Sequence, residues 1–273
     1  ASEPKTSASL PWFVGAVVAA GAALTGLGLA QNPQPDWAVI AVLAALATFA
    51  ELFEVNVYGD NTSSVSVAIA FASALIVGLP GVAAVSAAIA LTHYARKRPS
   101  LYKTVFNWAT HVLAGAVPAL AIRALSAPLP ASNLLLLGVL IVATGLIYFG
   151  VDTGLIAVAI SLSQGAKFGT TWQEHFHWLF AHYLVLCVMG LVLAIAYWAL
   201  GSPGVIVFSL PAFLTRYTQK QYVERTEESV RELRRMNQEL SLASREIASA
   251  SQAMRQLNDE LFLTLAKIID ARD

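Results

Sequence analysis

Polar and ionisable side chains recur at helical spacing in an otherwise apolar chain. Asn107 and His111 stand four residues apart. Thr144, Tyr148 and Asp152 repeat that interval, and Glu174, Trp178 and His182 repeat it again, with His175 seven residues before His182. On a helix this spacing returns to one face. An amide, an imidazole, a phenol and a carboxylate gathered in one place supply both donors and acceptors, and the imidazole can change charge near neutral pH. Three uses of such a set are open. Hydrogen bonds between helices would hold a bundle together. A polar pocket formed by Asn107, His111, Tyr148, Asp152, Trp178 and His182 would recognise a small ligand. The third use is a metal or haem site, with His111 and His182 as ligands from facing helices. On one helix His177 points about 200° away from His175, so a single helix cannot present His175, His177 and His182 together. His175 and His177, beside Trp172, suit a membrane entrance instead.

Other chemistries lack their residues. There is no glycine-rich phosphate loop, no His-Glu-x-x-His, no Cys-x-x-Cys and no nucleophile elbow. The single cysteine, Cys187, lies in an apolar run, which implies a buried thiol and precludes an internal disulfide. Seventeen basic residues balance seventeen acidic ones, and the basic ones form no extended patch, so no nucleic-acid partner is expected.

The elements that position these residues must be membrane helices. A chain of 273 residues that is 57% hydrophobic and 12% charged, with mean hydropathy +0.63, is too apolar for a water-soluble domain. The expected fold is all-α: a polytopic transmembrane bundle of six to eight segments, then a long coiled-coil helix. About 20 apolar residues cross a bilayer. Runs near that length lie at 10–30, 37–54, 64–79, 80–95, 104–126, 133–163, 174–200 and 202–217, after a disordered start at 1–9. The third and fourth, separated only by Gly78-Leu79-Pro80-Gly81, read as a tight hairpin that does not reach both faces. Between the second and third lies a polar loop with a turn at Gly59-Asp60-Asn61. Arg96, Lys97, Arg98 and Lys103 mark one loop as cytoplasmic, and counting from it places both termini there too. Glu51 and Glu54, at the inner end of the second span, could line the same vestibule as the polar set or face the cytoplasm; Arg123 reads as an interfacial anchor.

Beyond 217 the composition changes. Residues 216–273 hold ten of the 17 basic and ten of the 17 acidic side chains, and no Gly or Pro follows residue 217. Thr226, Leu233, Leu240, Ile247, Met254, Leu261 and Ile268 recur every seventh residue. With Val230 and Asn237 at the neighbouring a positions, they form the seam of a parallel dimer over 218–273. Ser244, Ser251 and Asn258 weaken the a row, while Met236, Ala243, Ala250 and Leu257 offer a competing apolar seam at g. Two seams of similar quality suit a helix that switches register; a passive spacer is the plainer reading.

The stretch Leu261-Phe-Leu-Thr-Leu-Ala-Lys-Ile-Ile-Asp-Ala-Arg-Asp273 resembles the helical lead-in to the catalytic domain of HD-GYP and related HD-domain phosphodiesterases. The membrane half, through Ser64-Val-Ser-Val-Ala, Gly78-Leu-Pro-Gly and Phe106-Asn107 after a basic loop, is similar to the multi-helix sensor regions of bacterial HD-domain and diguanylate cyclase proteins. It is more distantly similar to substrate-binding subunits of energy-coupling-factor transporters. The resemblance implies a sensor in the bacterial inner membrane that binds a small ligand. It would signal through a homodimeric helix to a metal-dependent phosphodiesterase acting on cyclic di-GMP or a related dinucleotide. No His-Asp pair or Gly-Tyr-Pro of that enzyme is present, so the chain as it stands is expected to be non-catalytic. A transporter-like binding subunit and a haem or metal redox sensor are the alternatives.

Overall fold

A computed structural model describes residues 9–52, 55–58, 61–124 and 134–270. Helices dominate: α1 Ser9–Gln31, α2 Trp37–Leu52, α3 Ser66–Ile76, α4 Leu79–Lys97, α5 Leu101–Ala124, α6 Leu134–Gln164, α7 Phe168–His175, α8 Phe180–Leu200 and α9 Ser202–Asp270. The only strands among the described residues are β1 Val55–Tyr58 and β2 Asn61–Ser63, an antiparallel pair. They occupy the stretch read from sequence as a plain polar loop; of its turn residues, Gly59 and Asp60 lie outside the described residues, as do 1–8 and Glu54.

Among the described residues, four helices are long and apolar enough to cross a membrane: Ser9–Gln31, Leu101–Ala124, Gly138–Gln164 and Phe180–Leu200. Large apolar side chains such as Val139, Ile147, Val185 and Leu200 are exposed on them, as expected where the solvent is hydrocarbon. α2 is a shorter apolar helix, and the last turns of α4 are polar, with Thr92, His93, Tyr94, Arg96 and Lys97.

The centre of the bundle is α3. Its 11 residues span about 16 Å, roughly half a bilayer. All but Val67 and Ile76 are buried, and α2, α4, α5 and α8 pack around them. A helix apolar on every side belongs in a protein interior. Its small residues, among them Ala68, Ala70, Ala72, Ser73 and Ala74, let the surrounding helices come close. The closest approach is by α8: a Cβ built on Gly190 would fall 2.6 Å from the Ala68 carbonyl oxygen. Phe71 fills the remaining space, edge-on to Tyr148 of α6 with ring centres 5.8 Å apart. The α3–α4 turn depends on Gly78, whose φ of +80° only glycine adopts readily, and on Pro80, which starts α4. The hairpin foreseen over 64–95 thus pairs a half-length helix with a 19-residue one.

One expected span is broken. The run 174–200 contains the end of α7 at His175, a 3-10 turn at His177–Leu179 and a fresh helix from Phe180. Phe176 leaves helical geometry at φ −126°, so four-residue spacing from Glu174 through Trp178 to His182 no longer defines one face. α7 is held to α6 instead, where the Trp172 indole donates to Thr153 Oγ1 at 3.2 Å.

The chain divides by contacts into Ala1–Thr218 and Gln219–Asp273. In the second unit, Leu233, Leu240, Ile247, Met254 and Leu261 are all exposed, Val230 and Asn237 with them; the Ile268 side chain lies outside those described. α9 as a whole is 69 residues, about 100 Å of helix.

Candidate functional site

Six helices present polar groups to one cavity of about 180 Å³ in the bundle. α2 contributes Glu51 from its last turn, and α3 contributes Ser66 from its first. α4 supplies His93 near its end, α5 supplies Thr104, Asn107 and His111, and α6 supplies Asp152. Tyr183, in the first turn of α8, adds a phenol. The α5 residues follow helical spacing, so they run along one face for about 10 Å, from the first turn inward. The cavity therefore lies at the end of the bundle that carries the loop of Arg96, Lys97 and Arg98. Ser64, Val67, Ile89, Ala90 and Ile156 complete its wall.

Two carboxylates anchor the arrangement, each held from another helix. Glu51 is buried and accepts a hydrogen bond from the Ser66 hydroxyl, while Arg96 donates to the Glu51 backbone carbonyl and caps the end of α2. Asp152 is 1% exposed, and its Oδ2 accepts a hydrogen bond from the Tyr183 hydroxyl at 2.8 Å. His111 Nδ1 stands 3.2 Å from Asp152 Oδ1, at ion-pair distance. Neither of these two buried atoms has a hydrogen bond of good geometry. A buried polar atom without a hydrogen bond is costly and marks where a further group would be stabilised. Asp152 is also the only charged residue of α6, a position that in a membrane helix demands compensation.

Of the residues singled out by sequence, the structure brings Asn107, His111 and Asp152 together in the cavity wall. Tyr148 does not join them. It is fully buried beside Phe71, one turn beyond Asp152 on the same face but deeper in the bundle packing, and its hydroxyl has no hydrogen-bond partner. His182 is half-buried in α8 outside the lining, so it does not meet His111 across the cavity. The Trp178 side chain lies outside those described. No group of three or more His, Cys, Asp or Glu with metal-binding geometry occurs among the described residues. Arg123, read as an interfacial anchor, reaches from α5 to the Gln31 side chain at the end of α1.

Tyr183 and Ser66 were missed. Tyr183 is adjacent to His182, and the unbroken-helix reading gave the face to the histidine; restarting α8 at Phe180 gives it to the tyrosine. Ser66 stands in the sequence only within Ser64-Val-Ser-Val-Ala, a stretch with no ionisable group to draw attention to it.

The bundle, its half-length central helix and its polar cavity define a polytopic helical membrane domain with an interior cavity lined by polar groups. The chain belongs to the MASE9 family, membrane-associated sensory domains, whose family model matches residues 39–225. That span contains every residue lining the cavity. Comparison with curated proteins and with solved structures found no match.

Proposed function

We propose that this sensory domain binds a small ligand in the Glu51–His111–Asp152 cavity and transmits its occupancy along α9, paired in a homodimeric coiled coil, to an HD-type phosphodiesterase domain acting on a cyclic dinucleotide. The observation that carries the ligand reading is the cavity itself. Polar groups from six helices converge there, and Asp152 Oδ1 and His111 Nδ1 lack hydrogen bonds. Its volume slightly exceeds that of an engineered cavity of about 150 Å³ that holds benzene, so a ligand of that size fits. Helix ends meet at the site: the last turn of α2, the first turns of α3 and α5 and the start of α8. A ligand that bridges their side chains stabilises one arrangement of those ends over another, which is the differential affinity that a switch requires.

Support for the output comes from two features of α9. Its apolar row at Leu233, Leu240, Ile247, Met254 and Leu261 is exposed in the single chain, a surface that a second copy would cover. The Leu261–Asp273 stretch resembles the lead-in to HD-domain catalysis, so catalysis would reside in that domain while this chain senses and transmits. The basic side chains at Arg96, Lys97, Arg98 and Lys103 favour an orientation in the bacterial inner membrane with both termini cytoplasmic. A long exposed heptad helix has no role in a transporter-like binding subunit, and the haem reading needs His182 at a cavity it does not line. The test uses the protein with its HD domain in native membranes, measuring hydrolysis of cyclic di-GMP. Asp152→Asn is expected to change the rate at equal protein level. An unchanged rate would separate the cavity from the output.

A further inference from the structure

We infer that the cavity selects a small organic cation: an ammonium group on a compact, partly apolar body. This rests on the reading of the cavity as a ligand site and gives it a chemical class. Two buried carboxylates, Glu51 and Asp152, line the space from different helices, and the lining contains no Lys or Arg. The Ser66 hydroxyl already donates to Glu51 and the Tyr183 hydroxyl to Asp152, so an anionic ligand would meet two carboxylates with the Asn107 amide and the His93 and His111 rings as its remaining donors. Acceptor capacity is left over as well: Asp152 Oδ1 is buried 3.2 Å from His111 Nδ1 and accepts no hydrogen bond. An ammonium carries three donors, no acceptor and the opposite charge. Val67, Ile89 and Ile156 give its carbon body an apolar wall.

Two sources of positive charge oppose this preference. His111 sits 3.2 Å from Asp152, but neither facing atom gains a hydrogen bond from the contact, so the imidazole leaves the carboxylate short of a donor. Arg96, whose guanidinium meets the Glu51 backbone carbonyl, and Arg98 and Lys103 are exposed at the basic loop, where water and salt screen them over roughly 8 Å. Charges inside a partly dry cavity interact several times more strongly than exposed ones. The nearer carboxylates therefore set the sign.

The test places a thiol in the wall and measures which charge reaches it. Asn107→Cys is made in a Cys187→Ala background of the full chain in nanodiscs, with Thr104→Cys as a second reporter should the first fail to fold. Each is reacted with three methanethiosulfonates bearing an ethylammonium, an ethylsulfonate or a neutral methyl group, and rates are divided by those for a free thiol. The expected result is a normalised preference of about tenfold or more for the ethylammonium reagent over the sulfonate, as an acidic cleft concentrates cations. Glu51→Gln with Asp152→Asn should abolish that preference, and n-propylammonium should protect the thiol where propionate does not. Labelling by the neutral reagent with equal or greater sulfonate reactivity would overturn the cation assignment and leave the ligand site standing. No labelling by any of the three would overturn both, since the cavity would then be closed to small solutes.

Discussion

A single carboxylate decides most of the chemistry at the residue scale. Asp152 connects α5 and α8 through His111 and Tyr183, and it carries the only charge in 31 residues of apolar helix. Side-chain hydrogen bonds between membrane helices are modest, averaging about 0.6 kcal/mol with a ceiling near 1.7. Tyr183→Phe is accordingly expected to lower stability by about 1 kcal/mol, measured by unfolding in mixed micelles. Combined with Asp152→Asn it should show a coupling of roughly 0.5 kcal/mol or more, because the two groups touch. Strict additivity would mean that the Tyr183–Asp152 bond contributes nothing in the membrane. The sequence announced Asp152, His111 and Asn107 because a polar residue in an apolar run is conspicuous and the spacing along α5 fixes its face. It did not announce Tyr183. A tyrosine is an unremarkable residue near a membrane surface, and its contact with Asp152 is set by where α8 restarts. Glu51 was visible as a candidate, but its tie to Ser66 depends on a partner 15 residues away.

Close packing by small residues holds the elements together, and glycine separates two kinds of position. Gly190 of α8 lies against the α3 backbone, where an added Cβ would meet the Ala68 carbonyl oxygen at 2.6 Å and Phe71 Cβ at 3.2 Å. Backbone at the centre of the bundle cannot give way cheaply. Gly190→Ala should cost about 1–3 kcal/mol, the usual range for overpacking. Gly154 of α6 has nothing within 4 Å of such a Cβ, and alanine there should be neutral or stabilise by up to about 1 kcal/mol through helix propensity. Thermal unfolding in detergent compares the two variants; equal effects would contradict the α3–α8 packing. The long helices were legible because a membrane helix declares itself by length and hydropathy. The break at Phe176 was not, because Glu174–Leu200 reads as one run, and no Pro or Gly marks the point at which α7 ends. The β1–β2 pair escaped notice for a similar reason: seven strand residues, only six of them paired, carry too little pattern to distinguish ribbon from loop.

For the whole molecule, the account joins a polar cavity to a heptad helix in one sensory domain. A membrane bundle needs neither feature for its own stability: apolar residues would pack as well in place of Asp152 and Glu51, and a helix with an exposed apolar row is a liability unless something covers it. The central claim is that the state of the cavity is expressed in the pairing of α9. Its most direct test is the distance between spin labels at Ile247→Cys in a Cys187→Ala background, measured by pulsed electron resonance on the chain in nanodiscs. The account predicts a short intermolecular distance in the parent, as expected for two helices about 8–10 Å apart, and a different distance or distribution when Asp152→Asn is added. An intermolecular distance that is absent, or that is the same with and without Asp152, would contradict it.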